Sequence, residues 1–463
     1  KKNRWGYFPS VSVGWKLNEE PWLRDQSWLS LLKVRAGWGQ LGNNRINNLA
    51  RLTLISYDNE DYIYGVGTPT VKPGYAITAY GNPDIKWERT ESTTVGLDFN
   101  MFDNRFTASI EYFVKDTKDM LLEVPLVYSA GWVDTPYQNA GSIRNKGFEI
   151  QLGWRDQIGN FGYGISGNLT KVNNKVTSLG QYGEPVLGGN LSTPNKLGYV
   201  TRTVLNAPVG TYYGYRNAGI MQESDFDANG KPLVPVIASS YAYNPGDRKY
   251  VDINGDGIID DNDKTIIGNP HPDFFYAFNI NLNYKNFDLQ MFFQGVHGNE
   301  VFNASKYFLY SNVTYNGSWT SNFDYSNVAS DYISRVYRPE KSSDYRSFYG
   351  PNTNGDVPAP TSVSSRGTDN FAASDWYIEN GSYLRLKQLQ LNYTFPKSIF
   401  KKVNIQSLKV YASVSNLFTL THYSGLDPEV GKSIGDEANT SIGIDQGTYP
   451  QARTFMFGVI FDF

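Results

Sequence analysis

From Phe274 to Gln294 apolar and polar residues alternate almost without a break, and few architectures tolerate that pattern. In YAFNINLNY the residues Tyr276, Phe278, Ile280, Leu282 and Tyr284 share one face, and Ala277, Asn279, Asn281 and Asn283 share the other. Successive side chains of an extended chain point to opposite sides, so this period of two predicts a strand with one apolar face. After Lys285-Asn286 the pattern resumes, with Phe287, Leu289, Met291 and Phe293 opposite Asp288, Gln290, Phe292 and Gln294, which predicts a tight hairpin. GLDFNMFDNRFTASIEYF repeats the design around Asp103-Asn104, with Val95, Leu97, Phe99 and Met101 forming one apolar face and Phe106, Ala108, Ile110 and Tyr112 another. GFEIQLGW sets Phe148, Ile150, Leu152 and Trp154 against Glu149, Gln151 and Arg155, and PSVSVGWKL, LLKVRAGWG, FGYGISGNL, LQLNYTF, LKVYASVSN and RTFMFGVIFDF follow the same rule.

About eleven strands result, near 8–17, 31–39, 92–101, 105–115, 147–155, 161–172, 275–284, 287–296, 383–395, 407–417 and 452–463. Their connections alternate between short ones and long ones, the long ones near 40–91, 116–146, 173–274, 297–382 and 418–451. Outer-membrane barrels combine short periplasmic turns with long extracellular loops in this way. Hydrocarbon cannot satisfy backbone N–H and C=O groups, so spanning strands must pair with one another while one side-chain face meets lipid. The composition fits: aromatics are 15% of the chain, charged residues only 19%, Gly numbers 44 and Tyr 34, while mean hydropathy is −0.45. A helical membrane protein would need apolar runs of about 20 residues, and none exists. The expected fold class is therefore all-β, a transmembrane antiparallel β-barrel; a soluble β-sandwich also alternates, but its outer face would be polar and its loops would not alternate in length.

A formal net charge of −3 and the lack of a basic stripe predict no nucleic-acid partner. There is no cysteine, and His271, His297 and His422 have no zinc spacing. No GxSxG, Walker A or compelling His/Ser/Asp set is present, so the chain is not expected to be an enzyme; a passive porin or an adhesin remains a non-enzymatic alternative. The sequence opens KKNRWG with no initiator Met or signal peptide, as a fragment or a processed chain would. At the other end Phe455, Phe457, Val459, Phe461 and Phe463 share one face, and the terminal Phe463 is expected to act as a membrane-assembly signal.

VDINGDGIIDDND (251–263) is laid out like a calcium loop. Asp252, Asn254, Asp256, the Ile258 carbonyl, Asp260 and Asp263 would supply the oxygens a hard cation needs, and Gly257 would make the sharp turn. Asp263 stands where such loops use a longer, bidentate Glu, and the flanks are not helical, so magnesium or a turn without any ion stays open. If calcium binds, it would replace a hydrophobic core as the clamp of a long exposed loop. Trp132, Tyr137, Tyr212, Tyr213, Tyr215, Trp319 and Tyr349 fall in long connections, where rings stack on sugars or else simply pack. Trp15, Trp38 and Trp154 are expected at the bilayer boundary.

Several stretches closely resemble the SusC/RagA family of TonB-dependent transporters of Bacteroidota: WGYFPSVSVGW (5–15), LKVRAGWGQLGN (32–43), NAGSIRNKGFEI (139–150), DINGDGIIDDNDKTIIGNPHPDFFYAFNINLNYKNFDLQMFFQG (252–295), YLRLKQLQLNYTFP (383–396), NLFTLTHYSGLDPEV (416–430) and YPQARTFMFGVIF (449–461). The resemblance implies the C-terminal half of a barrel of about 22 strands, whose N-terminal half and plug domain lie outside this sequence. It also implies a Gram-negative outer-membrane location, energy coupling by TonB through the plug, and a SusD-like surface lipoprotein as lid. Oligosaccharide would be the substrate, with oligopeptide as the alternative; the substrate-binding residues are not implied.

Overall fold

The computed structural model describes all residues except 1–2, 4, 46–48, 58–61, 65–69, 73, 124–135, 181–182, 184, 192–196, 239–241, 312–327, 341–348, 361–368, 401–404, 432–438 and 463. The chain forms two compact units, Lys1–Pro185 with Val204–Ala207, and Val186–Thr203 with Pro208–Phe463.

The first unit is a six-stranded antiparallel meander: β1 Ser10–Lys16, β2 Leu29–Asn43, β3 Glu88–Met101, β4 Phe106–Lys118, β5 Ser142–Ile158 and β6 Phe161–Ser178. Its register turns the sequence pattern into layers. Trp15, Val34, Leu97, Ile110, Ile150 and Leu169 are successive cross-strand partners, making one apolar row across all six strands. One residue along, the row reads Gly14, Arg35, Gly96, Glu111, Glu149 and Thr170, on the opposite face. A slip of one residue would exchange the two faces, so the pattern pins the register.

The second unit carries β7 Phe274–Tyr284, β8 Phe287–His297, β9 Tyr383–Thr394, β10 Ser407–Ser415 and β11 Thr454–Asp462, again antiparallel in sequence order. Here Leu282, Leu289, Leu391, Ala412 and Phe457 form an apolar row, and Asn283, Asp288, Asn392, Tyr411 and Gly458 the row beside it on the other face. Phe278 stacks on Phe293 with ring centroids 4.5 Å apart. The β7–β8 turn has only Lys285 and Asn286 between the paired Tyr284 and Phe287, and Lys285 takes the left-handed conformation, φ 53°.

All eleven predicted strands are present, but several run further than the apolar alternation does. About 9–11 residues suffice to cross a bilayer, whereas β5 has 17 and β6 has 18. Beyond the apolar band, at the end where the long connections leave, opposite charges on neighbouring strands take over: Lys118–Glu91 at 3.1 Å and a two-pronged Arg144–Asp116 contact at 2.7 and 3.0 Å. Cross-strand ion pairs support pairing without needing lipid.

The long connections of the second unit are not loose. Val186–Asn190, Tyr199–Thr203, Thr211–Gly214 and Thr265–Gly268 form a four-stranded sheet. Glu300–Asn303 pairs with Ile378–Asn380 of its own connection and, in parallel, with Ile444–Asp445 of the next, so two connections interlock, and a third joins them through Val200 and Tyr212. Their shared core contains Val200, Tyr212, Phe302, Val357 and Tyr377, all fully buried. Phe302 stacks on Tyr377 at 5.0 Å and packs on Tyr212 at 5.8 Å.

Candidate functional site

Three polar constellations stand out once the apolar faces are assigned. The first is on the polar face of the first unit, where the Arg35 guanidinium donates to Glu111 and Asp98, and Ser109 Oγ donates to Asp98 at 2.8 Å. Gly96 makes room for it: a Cβ there would lie 2.7 Å from Arg35 Cζ. On the corresponding face of the second unit Gln388, Gln390 and Asn392 form an amide ladder, with bonds of 3.2 and 2.7 Å. Such faces suit a wet lumen and cannot face hydrocarbon.

The second constellation is the 252–263 loop. Asp252 accepts from the amides of Gly255 (2.6 Å) and Gly257 (2.8 Å), and both glycines have positive φ, 77° and 85°. Asn254 accepts from Asp256 N, Asp256 from Ile258 N, and Asp260 from Asn262 N. Asp263, with no exposed surface, accepts from Ile253 N at 2.8 Å and Asp260 N at 2.9 Å. The Asp260 amide foremost, together with those of Ile253 and Asn254, holds its carboxyl below the usual range against the opposing effect of desolvation. Among the described residues no three His, Asp or Glu side chains gather as a ready-made metal cluster; the six predicted ligands share one loop whose oxygens engage its own amides. The expectation that an ion stands in for a core needs correcting. Ile259 is 1% exposed and packs with Tyr215 and Tyr250, so the loop has an apolar anchor.

The third joins two motifs far apart in sequence. Arg385, on β9 and almost wholly buried, donates to Asp427 at 2.5 Å, to Glu429 at 2.8 Å and to Thr419 Oγ1 at 2.8 Å, and Lys387 reaches Glu429 at 2.8 Å. Burial would raise the Asp427 carboxyl, yet the amides of Gln451 and Glu429 and the Arg385 guanidinium hold it below its ordinary value. YLRLK and GLDPEV were visible in the sequence, but nothing there showed that they meet.

The aromatic candidates divide. Tyr212 donates its hydroxyl to the Gly443 carbonyl at 2.8 Å inside the core, and Tyr215 is buried 5.0 Å from Tyr250, so both are packing residues. Tyr213 lies half-buried under Arg202, at 4.6 Å. Tyr137 is half-buried in the short strand Tyr137–Asn139, and Tyr349 is 53% exposed. Trp132, Trp319 and Phe463 lie outside the described residues. Trp15 donates to Glu20 at 2.8 Å and Trp38 to Glu91 at 2.9 Å, while Trp154 packs beside Phe102 and Phe106 next to the short turn. Trp15 and Trp38, each an apolar ring with its N–H on a carboxylate, have the amphipathic surroundings of a boundary residue.

Residues 1–296 match the family described as TonB dependent receptor-like, beta-barrel. The chain belongs to this family. TonB-dependent receptor P3 of Formosa agariphila is 32% identical over 465 residues, covering 99% of this chain and 42% of that receptor. TonB-dependent receptor SusC of Bacteroides thetaiotaomicron is 30% identical over 484 residues, covering 100% of this chain and 40% of its own length. The solved RagAB peptide transporter shares the fold, with a TM-score of 0.73 at 24% identity over 99% of this chain and 44% of that one. The chain therefore sits in the SusC/RagA group and spans about two fifths of the length of the curated relatives it matches. Its strands are outer-membrane barrel wall, and the family is one of transport receptors rather than enzymes.

Proposed function

We propose that the chain is the wall and loop portion of a SusC-like importer that takes up oligosaccharides together with a SusD-like surface lipoprotein. The observation that carries the reading is the end-to-end likeness to SusC, combined with strands that are apolar on one face and rich in Asn, Gln, Arg and Glu on the other. In this reading the short turns face the periplasm and the interlocked connections face outside, where they meet the lid. The polar face lines the lumen beside the plug of the whole protein, through which TonB acts. The bacterium would be Bacteroidota-like.

Oligopeptide is the second reading, favoured by the likeness in fold to the RagAB peptide transporter. Purification of the complex from outer membranes in mild detergent, with mass spectrometry of co-purifying chains and retained ligand, separates the two. A lipoprotein lid with bound oligosaccharide supports the first reading and bound peptides the second; a barrel with no lid overturns both.

We also propose that Asp252, Asn254, Asp256, Ile258, Asp260 and Asp263 hold calcium. A carboxylate oxygen that accepts one amide keeps a further lone pair for an ion, and the positive-φ glycines already wrap the backbone around the loop. Calcium should slow proteolysis within 251–263 in the wild type and not in Asp252→Ala; equal rates with calcium and with chelator in the wild type would remove the ion from the account.

A further inference from the structure

The apolar face of the second unit is not uniformly filled. A groove of about 430 Å³ lies over β8–β11, lined by Phe287, Leu391, Tyr393, Val410, Ala412 and Phe457 among others, within the range of roughly 300–1,000 Å³ typical of small-molecule sites. Its origin is local. Ala412 occupies the row Leu289, Leu391, Ala412, Phe457, where every cross-strand neighbour is large, so the short side chain leaves a dent between Tyr393 and Phe457.

What borders the dent changes along the strands. Toward the short turns comes an aromatic run, Phe287 to Tyr393 at 4.7 Å, Tyr393 to Phe395 at 4.9 Å and Phe395 to Phe400 at 6.5 Å. Beyond it stand two exposed cations, Lys285 in the β7–β8 turn and Lys397 after β9. Lys285 lies over the Tyr284 ring at 5.4 Å, and neither lysine forms an ion pair among the described residues. Asp288, the nearest carboxylate in sequence to Lys285, belongs to the row on the opposite face.

We infer that this groove is a phospholipid seat, with an acyl chain lying over Ala412 and the phosphate held by Lys285 and Lys397. The order apolar groove, aromatic border, exposed cations is the order of acyl chain, interface and headgroup in a membrane leaflet, and basic side chains at a membrane surface attract anionic lipid. The inference rests on reading the strands as outer-membrane wall and on the short turns facing the periplasm.

The test uses the full-length protein, extracted from outer membranes, washed in lipid-free detergent and assayed for retained phospholipid by native mass spectrometry. The wild type should keep a phospholipid through the wash, and Ala412→Phe, which fills the groove from the lipid side, should lose it. In vesicles doped with phosphatidylglycerol, Lys285→Gln and Lys397→Gln should each weaken retention about fivefold, in keeping with the contribution of a basic residue near an anionic surface. Equal retention by wild type and Ala412→Phe would overturn the seat. Disulfide-linked dimers of Ala412→Cys in native membranes would overturn it too, by placing a second copy in the groove. A protein that does not fractionate with outer membranes removes the membrane reading itself, whereas a membrane protein that keeps no lipid removes only the seat.

Discussion

The strands and the long connections of the second unit solve opposite solvent problems with the same residue types. In the strands the large apolar residues point outward, and Phe455, Phe457 and Phe461 are 60, 81 and 50% exposed. In the connections Tyr212, Phe302 and Tyr377 are completely buried. Wall strands contribute few buried hydrophobics among the described residues, Leu29, Phe113, Val176, Tyr383 and Leu386. The difference teaches that exposure of aromatics here is no defect: hydrocarbon is the solvent of one region and water of the other, and each region hides what its own solvent rejects.

If the two regions are built on different principles, their failures should separate. The largest effect is expected for Phe302→Ala, which empties the middle of the Tyr212–Phe302–Tyr377 stack and should cost about 3–5 kcal/mol. Protease should then cut the 298–382 connection while the strands still migrate as a folded barrel on an unheated gel; unfolding of both together would break the comparison. Arg385→Ala leaves the buried Asp427 without its guanidinium, a loss of roughly 3–5 kcal/mol for a buried pair, and should free the 416–453 connection, with Arg385→Lys recovering part of it. On the wall, Ile110→Arg on the apolar row should cost about 2–4 kcal/mol of folding into bilayers, whereas Gln151→Arg on the polar face should cost far less. Urea titrations in lipid vesicles measure both, and equal penalties would reverse the face assignment.

Acid should act on the connections by a smaller amount. The Asp427 carboxyl sits below its ordinary pKa of 3.8 in the fold. A carboxyl with a depressed folded pKa stabilises fully above its unfolded value and loses that contribution as pH falls through the folded one. Proteolysis of the 416–453 connection should therefore be constant above pH 3.8 and accelerate below it, and Asp427→Asn should flatten that step. The mildest expected change is Gly96→Ala, whose Cβ would press on the Arg35 guanidinium and cost about 1–3 kcal/mol by overpacking, less if the side chain swings aside.

Much of the wall was legible because its information is local. A period of two says which residues share a face, and a turn such as Asp103-Asn104 or Lys285-Asn286 says where the chain reverses. Strand ends were less legible. Past the apolar band the signal changes from hydropathy to charge pairing, and Glu91 with Lys118 or Asp116 with Arg144 can be recognised only when the register is known. The site was harder still: the oxygens at 252–263 are contiguous and could be read, but Ile259 as the anchor of that loop could not.

Sequence alone determined the class of the molecule, the faces of its eleven strands and its family likeness, because alternation, turn residues and local motifs act between near neighbours. Only the tertiary structure decided that three long connections share one core, that Tyr212 and Tyr215 are packing residues, that Arg385 meets Asp427, and that a groove lies over Ala412. The physical reason is distance along the chain. Phe302 beside Ile444, or Arg385 beside Asp427, is set by how separate segments exclude water together, and no window of neighbouring residues contains that.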